Sequence, residues 1–268
     1  MERVVFESVR KVFRHRPALF NLLGRERSGE TVALTGLSFT AGAGEVLALL
    51  GPNGSGKTTA LKLISTMLLP DSGTVRVAGF DTQRDGGRVR QQVGIAIATE
   101  RSFFPRLSAR ENLEFFAALD DVPRAECKVR IEEVLRDTGL TEHADLLVMK
   151  FSSGMYQRLG IARALVKRPA VLLLDEPTRS LDAATTAHFW TTIRDLADRQ
   201  TTILLATHNF AEAGAVGDRV LLLQKGDLLA DRPIRKGESM EDLRAFYFRM
   251  TREVDEAAGM IQRVGRVS

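Results

Sequence analysis

Eight consecutive residues, Gly51-Pro52-Asn53-Gly54-Ser55-Gly56-Lys57-Thr58, constrain this chain more than any other feature. They stand between a continuous apolar run, Val46 to Leu50, and a helix-compatible stretch, Thr58 to Leu68. An unbroken apolar run of that length suits a strand buried on both faces. Strand, glycine-rich turn and helix, in that order, make a phosphate cradle. Glycines let the backbone wrap an anion closely with N–H groups pointing inward, and the helix adds the positive end of its dipole. Lys57 then supplies a charge to the β- and γ-phosphates of a nucleotide, and Thr58 offers a hydroxyl to Mg²⁺. The competing reading is a glycine-rich turn with a chance lysine, and the strand–helix context weighs against it.

A second run points the same way. Leu172-Leu173-Leu174-Asp175-Glu176-Pro177 puts two carboxylates at the end of an apolar strand. Carboxylates in such a place are costly unless a cation offsets them. Asp175 is suited to hold Mg²⁺, and Glu176 to orient or deprotonate an attacking water. A solvated Asp-Glu pair at a strand end is the plainer reading, and the phosphate cradle outweighs it.

The rest of the chain reads as alternating strands and helices. Strands are expected at Val4–Phe13, Val32–Thr40, Gly73–Val77, Val93–Ala98, Val171–Leu174, Thr202–Ala206 and Val220–Leu223. Helices are expected at Glu111–Leu119, Ala125–Thr138, Gln157–Val166 and Met240–Glu256. Such alternation predicts an α/β fold with a mostly parallel sheet covered on both faces. The polar stretch from Arg14 to Glu30 reads as an inserted loop with a short helix at Ala18–Leu23. Cys127 shares an apolar helix face with Ile131, Val134 and Leu135, so it reads as a core residue and not a reactive thiol.

The length of 268 residues allows a sizeable core without disulfides. One cysteine cannot form an internal bridge, which is consistent with a reducing compartment. No apolar run is long enough to cross a bilayer, and the first residues carry no signal-peptide core, so a cytoplasmic protein is expected. The net charge of +4 is a mild basic excess. The clusters Arg14-His15-Arg16 and Arg232–Lys236 read as solvated faces.

A cradle and a strand-end Asp-Glu pair leave kinases, GTPases and motor ATPases open. Phe151-Ser152-Ser153-Gly154-Met155, followed by Gln157-Arg158-Leu159-Gly160-Ile161-Ala162-Arg163, resembles the signature of the ABC ATPases and the helix behind it. Ser152 and Gly154 match the family's usual Leu-Ser-Gly-Gly-Gln, whereas Phe151, Ser153 and Met155 differ. Taken alone these residues read as a simple helix N-cap by Ser152 or Ser153. Their place between the cradle and Asp175 favours the resemblance, which covers roughly Val4 to Asp231. Ser180-Leu181-Asp182 resembles the loop that crosses the dimer interface in this family, and Thr207-His208 its switch histidine. His15, His143 and His188 keep structural readings.

The resemblance implies a P-loop NTPase (RecA-like) core, an antiparallel β subdomain and a helical signature subdomain near residues 100–166. It implies one ATP-binding domain over 1–231 and a short helical tail over 232–268. Glu176, His208 and Lys57 would act in catalysis, and Thr58 and Asp175 would hold Mg²⁺. ATP would rest on Gly51, Pro52, Asn53, Gly54, Ser55, Gly56, Lys57, Thr58 and Thr59, with Phe13 stacked on adenine. Ser152, Ser153, Gly154 and Asp182 would reach the nucleotide of a second subunit. The family's loop glutamine is missing, and Thr99 or Glu100 takes its place. The segment from Ala98 to Phe116 resembles ATPase subunits of exporters for polysaccharides, lipids or drugs.

The implied function is an ATP-hydrolysing subunit that powers export through a separate transmembrane permease, as a head-to-tail homodimer on the inner face of the cell membrane. The alternative is an ABC ATPase acting on nucleic acid or ribosomes. Members of that kind need long coiled coils or two such domains in one chain. The interval from Gly73 to Phe151 is too short for the first and lacks sustained heptads, so no nucleic-acid partner is expected. A small-molecule kinase would explain neither the signature nor His208.

Overall fold

The computed structural model describes residues 1–14, 29–97, 102–235 and 237–251. The expected helix at Ala18–Leu23, the choice between Thr99 and Glu100, and the tail beyond residue 251 lie outside these.

Among the described residues there are two sheets. The strands β1 (Glu2–Arg14), β2 (Glu30–Gly42), β4 (Ser72–Val77) and β5 (Phe80–Asp81) form an antiparallel sheet in the order β2-β1-β4-β5. The second sheet runs β10-β9-β3-β8-β7-β6. It is built from β3 (Val46–Leu50), β6 (Val93–Ile97), β7 (Val171–Asp175), β8 (Thr202–Thr207), β9 (Arg219–Gln224) and β10 (Asp227–Pro233). Neighbours from β6 to β9 are parallel, and β10 returns antiparallel along β9.

Helices fill the crossovers. They are α1 (Lys57–Ile64), α2 (Gly86–Gln92), α3 (Ala109–Leu119), α4 (Arg124–Asp137), α5 (Ser153–Leu165), α6 (Ala183–Asp198) and α7 (Phe210–Val216). Residues 240–251 form a further helix. Among the described residues, no helix is long and apolar enough to cross a membrane.

Alternation along the central strands sorts the core into layers, since successive side chains leave opposite faces. Leu47 and Leu49 of β3 join α1, through Leu61, Leu63 and Ile64, and the inner face of the antiparallel sheet. There Phe6 stacks on Phe39 at 4.5 Å between ring centroids. On the other face, Leu172 and Leu174 of β7 meet α3, α4, α5 and α6. Ala48 and Leu50 sit under α7 and Phe246 of the last helix. Every residue of β3, β7 and β8 is buried, so these strands read as solid apolar runs and not as alternating ones.

The helix starts are set locally. Ser108 and Glu111 form a reciprocal capping box on α3. The Ser152 hydroxyl accepts from the Met155 amide at α5, and the Asp182 carboxylate from the Thr185 amide at α6.

Three elements depart from the sequence expectation. Two-residue β5 and glycine-started α2 carry almost no propensity of their own, and tertiary contacts hold them, with Val89 fully buried. The boundary expected at Asp231 falls inside β10, because Arg232 and Pro233 still pair with Val220 and Arg219. Ala98, expected to close the strand at β6, lies outside the described residues, which follow that strand to Ile97.

Candidate nucleotide site

The cradle lies at the carboxyl ends of the parallel strands, where open α/β sheets bind their ligands. β3 delivers the chain into Gly51–Gly56, and α1 begins at Lys57. Gly56 has φ +108, and a Cβ there would meet Leu34 Cδ2 at 2.7 Å and the Ala33 carbonyl at 2.8 Å. Only glycine fits that turn without moving β2.

A cleft of about 740 Å³ opens beside the cradle. Phe13, Asn53, Gly54, Ser55, Gly56, Lys57, Thr58, Thr59, Asp175 and Glu176 all line it. Its walls also include Lys62, Met67, Ile97 and Arg179, which the sequence reading did not single out. Gly51 and Pro52 contribute differently. Their carbonyls accept from the Lys57 ammonium, at 2.7 and 3.1 Å. Burial pushes the Lys57 amine down from its ordinary value, and the nearby Glu176 and Asp175 carboxylates oppose that shift.

The residues expected at a metal come together. The Thr58 hydroxyl donates to Asp175 Oδ2 at 2.8 Å. Burial raises the Asp175 carboxyl above its ordinary value, and the Thr58 hydrogen bond opposes the shift. A hydroxyl and a carboxylate oxygen side by side are the hard donors Mg²⁺ takes, with substrate phosphates and water completing its shell. The buried Ser55 hydroxyl has no hydrogen-bond partner, as a cradle group aimed at a ligand would not. The set fits Mg²⁺-nucleotide.

Beyond Asp175 the chain turns sharply. Glu176 has φ +51, in the left-handed region that side chains other than glycine seldom occupy. Its amide donates to the Ala206 carbonyl at 2.9 Å, and its carboxylate lies 2.8 Å from His208 Nδ1. The expected base and the expected switch histidine are therefore in contact, with the histidine side chain 64% exposed and the glutamate 19%. Backbone strain of this kind costs on the order of 1–3 kcal/mol and persists only where its surroundings enforce it.

Ser152, Ser153, Gly154 and Asp182 are not among the residues lining this cleft. They form a second group. A Cβ on Gly154 would stand 3.0 Å from the Ser180 carbonyl, so the start of α5 rests directly on the loop that ends in Asp182. Gln157, to which the sequence reading gave no role beyond its place in the helix, joins the two groups. Its amide nitrogen donates to the carbonyls of Glu176, at 3.0 Å, and of Pro177, and its Oε1 accepts from the Ser180 amide at 3.3 Å. A buried glutamine four residues into a helix has no sequence signature of its own.

Phe13 is half-buried at the cleft wall, with Lys11 Nζ 5.9 Å from its ring centre. Phe13→Ala is expected to weaken ATP binding by about 1–3 kcal/mol, the usual worth of a base stacked on an aromatic. Equilibrium titration with a fluorescent nucleotide checks this, and an unchanged Kd would remove Phe13 from the site.

The ABC transporter family profile matches residues 34–179. The chain is 37% identical over 214 residues to the ABC transporter ATP-binding protein NatA of Bacillus subtilis, covering 79% of this chain and 87% of that protein. It is 36% identical to the daunorubicin resistance ATP-binding protein DrrA3 of Streptomyces coeruleorubidus, covering 77% of this chain and 65% of the relative. It is also 37% identical to the Nod factor export ATP-binding protein I of Paraburkholderia xenovorans, over 76% of this chain and 66% of the relative. Among solved structures, the dimeric post-hydrolysis state of the ATP-binding cassette MJ0796 bound to ADP and Pi superimposes with a TM-score of 0.74 at 26% identity. That match covers 87% of this chain and 99% of the other.

Proposed function

This chain belongs to the ABC transporter family, and on that premise we propose that it is the ATP-hydrolysing subunit of an exporter, working as a dimer on a separate membrane-spanning permease. The observation that carries the catalytic part is the meeting of Lys57, Thr58, Asp175, Glu176 and His208 around one strand-end cleft. The cradle amides and Lys57 hold the phosphates in line. Glu176 orients a water toward the γ-phosphorus and takes its proton as the new P–O bond forms and ADP leaves. His208 fixes the Glu176 carboxylate from its open side. Thr58 and Asp175 would hold Mg²⁺, which would supply charge neutralisation at the phosphate oxygens.

Export is supported by the relatives, two of which are named for drug resistance and for Nod factor export. We assign the permease contact to the helical layer. Phe104, Phe115 and Leu119 are exposed there, with Phe104 and Phe115 packed edge to face at 4.8 Å. Adjoining exposed apolar groups of this kind mark interaction surfaces. Affinity purification of the tagged chain from detergent-solubilised cells tests the reading. A polytopic membrane protein is expected in the eluate, together with ATPase activity that rises when the complex is reconstituted in lipid. Recovery of ribosomes or nucleic acid in its place would overturn export.

A further inference from the structure

We propose that Glu212 is a positioning residue for ATP hydrolysis: its buried carboxyl ties the turn that carries His208 to the segment that follows Glu176. The inference rests on the ATPase reading above and assigns a role to a group that the site itself does not use.

Glu212 is 1% exposed, and neither carboxyl oxygen has a partner in hydrogen-bond geometry. Its polar neighbours are the hydroxyls of Thr207 and Thr178 and the indole of Trp190, whose Nε1 is also buried and unpaired. These three come from three places. Thr207 precedes His208 at the end of β8, Thr178 follows Glu176 by two residues, and Trp190 belongs to α6. A donor and an acceptor buried together unpaired each carry a desolvation cost, so a small closure that joins them is favourable.

The turn itself is already folded onto Glu212. Asn209 Oδ1 accepts from the Ala211 and Glu212 amides, at 3.0 and 3.4 Å. The Asn209 amide donates to Thr207 Oγ1 at 3.0 Å, which leaves the Thr207 hydroxyl proton free to donate onward. His208 stands at the apex of this closed turn, 2.8 Å from Glu176. A carboxylate without a cation partner would be expensive here, and the Glu176 charge would repel it. Burial accordingly pushes the Glu212 carboxyl up from its ordinary value. In the protonated form that burial favours, Glu212 would both donate and accept, which suits a tie between hydroxyls and an indole N–H.

The test compares the full-length chain with Glu212→Gln, Glu212→Leu and Trp190→Phe. Each is measured for kcat, for ATP Kd and for the imidazole NMR signals of His208, assigned with His208→Ala. Glutamine keeps a donor and an acceptor at the same place. It is expected to hold kcat within about threefold and to leave the His208 signal in place. Leucine is expected to lower kcat by at least about tenfold, or 1.4 kcal/mol, with ATP Kd unchanged and the His208 signal displaced. Trp190→Phe is expected to move the same signal in the same direction. A leucine variant with parental kcat and an unmoved His208 signal would overturn the proposal, as would a folded glutamine variant as slow as leucine. Should the leucine variant fail to fold, an unmoved His208 signal in Trp190→Phe overturns it. If the parent chain does not hydrolyse ATP, the ATPase reading fails, while the His208 signal still decides whether Glu212 sets the turn.

Discussion

Glu176→Gln is expected to bind ATP with parental affinity and to hydrolyse it at least about a hundredfold more slowly, the usual contribution of a positioned general base. The substitution is close to isosteric, so the left-handed turn at φ +51 and the amide bond to Ala206 persist. Lys57, Thr58 and Asp175 keep their contacts, so the phosphates and the ion lose nothing. What is lost is the proton acceptor beside the attacking water and the charge facing His208. Binding and turnover therefore separate. Fluorescent-nucleotide titration should superimpose on the parent, while steady-state phosphate release should nearly vanish. A dimer that closes on ATP and reopens on hydrolysis should then accumulate in the closed form, visible by size-exclusion chromatography in ATP. Parental turnover in this variant would move the base to another group.

The part of this site that was legible in the sequence is the part that is local. Gly51 to Thr58 declares its own conformation, because the glycines, the lysine and the flanking apolar run act within a few residues of each other. Asp175 and Glu176 stood out because carboxylates ending an apolar strand are costly unless a cation offsets them. The parallel sheet followed from unbroken apolar runs at Val46, Val171 and Ile203. What stayed hidden depends on distant chain meeting distant chain. Nothing around Gln157 shows that it will grip the carbonyls of Glu176 and Pro177, since the partners are 19 and 20 residues away. Glu212 reads as one more polar residue after His208 until β8, α6 and the loop at Thr178 enclose it. The left-handed backbone of Glu176 is equally invisible, because glutamate has no preference for it. β10 was missed for a related reason: Asp227 to Pro233 is half-exposed, and its pairing with β9 alone makes it a strand.

The two groups of candidate nucleotide-binding residues, one lining the cleft and one at the start of α5, lead to the last prediction. Lys57→Ala and Ser153→Glu chains should each be nearly inactive alone and should regain activity when mixed. If ATP is gripped between the cradle of one chain and the signature of another, a head-to-tail dimer related by a twofold axis has two equivalent sites. Every site in a Lys57→Ala dimer lacks the phosphate lysine. Every site in a Ser153→Glu dimer meets the γ-phosphate with a carboxylate. In the mixed dimer one site joins both defects, and the other joins an intact cradle to an intact signature. Random pairing makes half the dimers mixed, each with one good site, so about a quarter of parental activity is expected for independent sites. Ser153 is the position to change because it is exposed at the first turn of α5. An acidic residue there favours the helix dipole by roughly 0.3–1 kcal/mol, so the chain should fold. Gly154 is a poorer choice, since any side chain would press on the Ser180 carbonyl at 3.0 Å and displace a loop of its own chain. A chain carrying both changes, mixed with Lys57→Ala, contains no intact cradle and should stay inactive. Full activity of purified Ser153→Glu, with turnover strictly proportional to protein concentration down to dilution, would show that each chain completes its site unaided.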